Sequence, residues 1–171
     1  MTPQNLQDLY LHQLRDLYSA ETQLIDALPK MAEKASDPEL RRAFNAHLEE
    51  TKRQKERLEL IFERLGQSPS GQTCQGMKGL IKEANELISE ASSLFGSDSP
   101  SEVLDAGLIT AAQRVEHYEI AGYGSVATFA EMLGLQTDHD LLGQTLSEEK
   151  KADEMLTRIA ERGINVEAIH A

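Results

Sequence analysis

Residues 111–134 read AAQRVEHYEIAGYGSVATFAEMLG, and this stretch decides the fold. It carries helical periodicity up to Gly134, and Gly122 and Gly124 fall inside the helix. Two glutamates stand where apolar residues belong. Glu119 lies four residues after Val115 and seven before Val126, so it points into the core. Glu116 sits one turn earlier, about 60° away at about 100° per residue. Such carboxylates need partners, because burying one unpaired costs several kcal/mol.

Outward from this block, the helix spans about 102–133, and Gly134 to Asp138 breaks it. A last long helix covers about 138–162 and is closed by Gly163, leaving the tail NVEAIHA frayed or docked through Val166 and Ile169. On it Glu149 lies seven residues after Leu142 and seven before Leu156, with Asp153 one turn below. Upstream, the first long helix covers about 3–35, and Pro29 is expected to kink it or split off its last turn. Its Glu21 is four residues after Leu17 and seven before Leu28, again inward. Ser36-Asp37-Pro38 stops that helix and caps the next, which runs over about 38–65 and ends at Gly66. Here His47, Glu50 and Gln54 form a row at one edge of the apolar stripe. A shorter amphipathic helix follows over about 77–94. The loop GSDSPS comes next, and its last serine is placed to cap the following helix.

The two long-helix pairs repeat one hairpin. With Glu21 laid on Glu119, Ala32-Glu33 falls on Ala130-Glu131, Leu48 on Leu146 and Glu50 on Glu148. The expected fold is all-α: a ferritin-like four-helix bundle of two helical hairpins, joined by a long crossover that carries an extra short helix. Residues 1–171 suffice for a single domain of this kind.

Acidic residues number 29 against 17 basic, a net charge of -12, and no Lys/Arg block is present. Nucleic acid and anionic membrane surfaces are therefore not expected as partners. No segment approaches about 18 consecutive apolar residues, and no signal peptide is visible. Cys74 is alone, which excludes an internal disulfide and suits the cytoplasm. There is no phosphate-cradling loop, nucleophile elbow or zinc-thiolate set. What remains is one inward carboxylate or more on each long helix, with too few inward Lys or Arg to balance them. Two divalent or trivalent cations match that charge and ligand type.

The blocks DLYSAETQL (16–24), HLEETKRQKERL (47–58), CQGMKGLIKEANELI (74–88), AAQRVEHYEIAGYGSVATFAEMLG (111–134) and LLGQTLSEEKKADEML (141–156) resemble the YciE/YciF family of bacterial ferritin-like proteins. The resemblance covers nearly the whole chain and implies a rubrerythrin-related bundle, a homodimer and a role in stress. Position by position it implies metal ligands at Glu21, Glu50, Glu116, Glu119 and Glu149, with His47, Gln54 and Asp153 as supporting ligands or neighbours of ligands. One departure stands out. Di-iron bundles usually carry Glu-x-x-His on two helices, whereas the residues three after Glu50 and Glu149 are Arg53 and Ala152. The nitrogen ligands are missing or supplied otherwise, and His47 is the candidate.

Two functions compete. In the first, two iron ions (or manganese or another divalent metal) react with oxygen or peroxide, or Fe(II) is oxidised. Glu21 and Glu116 are then terminal ligands, and Glu50, Glu119 and Glu149 bridging or terminal. In the second, a non-enzymatic dimeric bundle keeps a structural metal and acts through a protein partner.

Overall fold

The computed structural model describes residues 2–94 and 101–171, with the backbone alone for 91–94. The loop expected at GSDSPS lies outside the described residues, except for Ser101, which already belongs to the following helix. Among the described residues all regular structure is helical.

Helix α1 (Leu6–Lys34) starts on Asn5, whose side chain accepts a hydrogen bond from the Asp8 N–H at 2.9 Å. It runs unbroken through Pro29. Pro29 sits at an exposed position and the last turn is not split off. Asp37 caps α2 (Pro38–Leu65) by accepting from the Glu39 and Leu40 N–H groups at 2.7 and 2.8 Å. Gly66 closes α2 in the left-handed conformation, φ 62°, where a β-carbon would be strained. Helix α3 (Gln75–Leu94) is the crossover helix and packs on α1 and on α4 (Ser101–Met132). Helix α5 (Gln136–Ile159) returns against α4.

The C-terminus differs from the expected stop at Gly163. The chain widens into a π-helical turn at Ala160–Ile164 and continues as α6 (Asn165–His170). Gly163 does not adopt a positive φ, so it makes no left-handed cap and the helical path carries on. Val166 and Ile169 do not dock; they are exposed.

The two hairpins, α1 with α2 and α4 with α5, pack through α1 against α4 and α2 against α5. Helix α4 touches α1, α3 and α5, which is why it is apolar on several sides. A β-carbon on Gly122 would come within 2.7 Å of Leu17, so α1 and α4 approach closely there. The apolar interior falls into two clusters. One centres on Leu24, Leu28, Phe44, Leu108 and Ile159. The other centres on Tyr10, Leu14, Ile61, Phe62 and Val126. Between them, in sequence along every long helix, lie buried polar residues.

Candidate metal centre

Helix register assembles this polar layer. In α2 the buried residues Leu40, Phe44, His47, Thr51, Gln54, Leu58 and Ile61 recur at steps of four and three. In α4, Glu116, Glu119, Tyr123 and Val126 recur at the same steps. Helix α1 adds Glu21 and α5 adds Thr145 and Glu149. All four glutamates are at most 1% exposed.

His47, Glu116, Glu119 and Glu149 each present a donor atom, and these atoms lie within 4.8 Å of one another. His47 Nε2 is 3.3 Å from Glu116 Oε1. Glu21 closes the layer from α1, where Tyr123 donates its phenol hydrogen to Oε1. Gln54 donates to Glu149, and also to Glu148 Oε2 at 3.2 Å. Arg57 grips Glu148 with two nitrogens, at 2.6 and 2.8 Å. Arg57, Glu148 and Gln54 thus hold Glu149 from behind.

The layer is short of partners. Glu21 Oε2, Glu116 Oε2, both Glu119 oxygens, Glu149 Oε2, Gln54 Oε1 and both His47 nitrogens are buried and have no hydrogen bond. Native interiors rarely leave so many polar atoms unsatisfied in one place. Among the described residues, no lysine or arginine pairs with any of the four glutamates. Without a cation, burial drives protons onto the carboxyls. Burial raises the Glu21 pKa to about 8, against the opposing pull of the Tyr123 hydrogen bond and of His47. Burial likewise lifts Glu149 to about 7, and Glu116 well above the usual range. Glu119 rises strongly as well, through burial and then the charges of Glu21, Glu149 and Glu116. Burial disfavours the charged His47, yet the surrounding carboxylates outweigh it and lift the imidazole to about 10. The residues present therefore fit a multivalent cation: oxygen donors in number, one imidazole, and unpaired buried atoms facing one another.

Two residues of the expected set stand apart. Glu50 is at the rim, with Oε2 3.9 Å from His47 Nδ1, too far for a hydrogen bond. Asp153 turns to α4, accepting from Gln113 at 3.1 Å and standing 3.4 Å from His117 Nε2. Sequence reasoning passed over Tyr123, although its place four residues after Glu119 puts it on the same face. It also missed the Arg57–Glu148 clamp, which joins residues far apart in sequence.

A family model described as a domain of unknown function, DUF892, matches residues 5–169. The chain belongs to the DUF892 family. Its sequence is 46% identical to Protein YciF of Escherichia coli (strain K12) over 169 residues, 98% of each chain. The crystal structure of the E. coli stress protein YciF matches it with a TM-score of 0.86, covering 95% of this chain and 99% of that one. YcfI of Rhodopseudomonas palustris, also 46% identical, matches with a TM-score of 0.81 over 90% of this chain and 94% of its own. A protein from Xanthomonas campestris pv. campestris, 20% identical, shares the fold with a TM-score of 0.73 over 96% and 97% of the two chains. The YciF family membership seen in the EHYEIAGYG block is thus shown, together with the bundle. No helix among the described residues is long and apolar enough to cross a membrane.

Proposed function

We propose that this DUF892 chain is a di-metal carboxylate protein of the stress response, holding two iron ions in the polar layer and reacting with oxygen or peroxide, or oxidising Fe(II). Manganese or another divalent ion fits the same donors. The observation that carries the reading is the group of unpartnered, buried donor atoms of Glu21, His47, Glu116, Glu119 and Glu149. Four carboxylates bring four negative charges, which two divalent cations balance. The likeness to the E. coli stress protein YciF supports the cellular setting, and the lone buried Cys74 thiol suits the cytoplasm.

Each residue's surroundings suggest its part. Glu119 has both oxygens free and would offer them to bound metal. Glu21, with one oxygen held by Tyr123, would hold metal with the other. Glu149 is fixed in the same way by Gln54. His47 supplies the nitrogen that Arg53 and Ala152 do not. Apolar clusters flank the layer on both sides and lower the local dielectric, which strengthens the charge interactions in it. Bound iron would supply Lewis acidity and one-electron changes. Tyr123 would keep its proton beside Glu21, since burial and the charges of Glu21 and Glu119 hold its phenol well above the ordinary range.

The test is oxidant consumption. Reduced, iron-loaded protein should consume peroxide or oxygen faster than free Fe(II). Glu21→Ala should remove that advantage with its helix content intact. Equal rates for the two proteins would overturn the redox reading and leave a non-enzymatic bundle with a structural metal.

A further inference from the structure

Behind the polar layer lies a positive charge that a metal centre would not call for. Arg57 of α2 and Glu148 of α5 form a largely buried pair, with side chains 12% and 18% exposed. Arg57 meets Glu148 with two nitrogens and also donates to Thr145 Oγ1 at 3.1 Å. By its charge alone, a guanidinium this near a cation site works against metal binding. Burial dominates the pKa of Glu21, and Arg57 is among the charges that pull it back down. Stability does not explain the pair either, since exchanging a buried ion pair for apolar residues of similar volume is often neutral.

What the pair does is visible at Gln54. This side chain is fully buried, and its Nε2 faces two carboxylates, donating to Glu149 and to Glu148 Oε2 at 3.2 Å. The two ends of an amide are alike in shape, so what they meet sets which way round it sits. Two acceptors on one side hold the NH2 there and leave Oε1 at the other end, buried and without a hydrogen bond. Turned over, the amide would put N–H donors where Oε1 now lies and an oxygen against two carboxylates. Glu148 can enforce this only while its own carboxylate stays in place, and the two-point grip of Arg57 fixes both of its oxygens.

We infer that Arg57 and Glu148 are positioning residues for the metal centre, a role that rests on the function proposed above. They act through Gln54: together they hold its amide so that Glu149 is fixed and Gln54 Oε1 is left as a neutral oxygen donor for a cation.

The test is Mn(II) affinity, read on the purified, chelator-treated full chain from the electron paramagnetic resonance signal of the free aqueous ion. Charge and positioning act with opposite signs. By charge alone, Arg57→Gln should tighten Mn(II) binding, because a cation leaves while Glu148 keeps its negative charge. Through positioning, the same variant should weaken binding by about 10–100-fold, the usual cost of losing a residue that orients a ligand. The double variant Arg57→Gln/Glu148→Gln removes one charge of each sign, so by charge it should change nothing and by positioning it should show the same loss. Arg57→Lys keeps the charge without the two-point grip, and a smaller loss is expected there. Should the glutamine variants not fold, Arg57→Lys decides alone, and affinity equal to wild type would overturn the inference. Ile159→Val loosens an apolar cluster away from the layer and should leave the affinity unchanged. An equal loss in that variant would mark general loosening and overturn the inference, as would unchanged or tighter binding in Arg57→Gln. Wild type that binds no Mn(II) would overturn the metal centre and this inference with it. Wild type that binds Mn(II) no better than the folded Arg57 variants would overturn this inference alone.

Discussion

Adding Fe(II) or Mn(II) anaerobically to metal-free protein should raise its melting temperature by about 10–20 °C. Each site filled to about 100 times its Kd contributes about 2.7 kcal/mol of native-state stabilisation. In a chain of this size each kcal/mol moves the midpoint by about 2–4 °C. The cation also relieves a defect of the fold, since it gives partners to the unsatisfied atoms of Glu21, Glu116, Glu119 and Glu149. Glu119→Gln keeps the side-chain shape but removes a ligand charge, so its metal-induced shift should be much smaller. Equal shifts in wild type, Glu119→Gln and Glu149→Gln would place the stabilising ion elsewhere. Sodium at matched ionic strength should do nothing.

Without metal the same substitution should act in the opposite sense, and pH should reveal why. The folded-state pKa values of Glu21, Glu116, Glu119 and Glu149 all lie above the unfolded value near 4.5. A group shifted upward contributes stability that is fully present below its unfolded pKa and lost as pH rises through its folded pKa. For Glu21 and Glu149 that window runs from about 4.5 to about 8 and about 7 respectively. His47, raised to about 10 from 6.5, adds a loss of the same sign at higher pH. Metal-free protein should therefore lose stability from pH 5 to pH 8. The slope is about 1.4 kcal/mol per pH unit for each proton held in excess by the folded state. Glu119→Gln should flatten this slope and make the metal-free protein about 1–3 kcal/mol more stable at pH 8, because the fold no longer has to hold a proton on Glu119 that the unfolded chain releases. Urea titrations at several pH values read both effects. A metal-free wild type whose stability climbs steadily over that range would mean these carboxyls are solvated or paired. The trade between metal-free stability and metal binding is the usual mark of a site kept for function.

The bundle was legible because long amphipathic periods, Asp37 and Gly66 fix where helices begin and end. The inward glutamates were legible for the same reason. Glu21, Glu119 and Glu149 sit at seven-residue spacing from core leucines or valines, and the four helices could place them nowhere but the interior. Glu50 was less legible. The inward line of α2 runs His47, Thr51, Gln54, Leu58, and Glu50 falls one residue off it, at the rim. Asp153 stacks a turn below Glu149, but at that depth the seam of α5 divides. Ala152 faces a cavity toward α2, while Asp153 meets Gln113 and His117 of α4. Which neighbour a flanking position meets depends on how helices cross, and periodicity along one helix does not contain that angle. The continuation past Gly163 was illegible on similar grounds. A glycine permits a left-handed cap without requiring one.

The most direct test of the central claim is anomalous scattering at the iron edge from crystals grown of anaerobically Fe(II)-loaded protein. Two peaks about 3.5–4 Å apart are expected, each with carboxylate oxygens within about 2.0–2.5 Å, inside the layer of Glu21, His47, Glu116, Glu119 and Glu149. Iron bound in stoichiometric amount but scattering outside that layer would contradict the account.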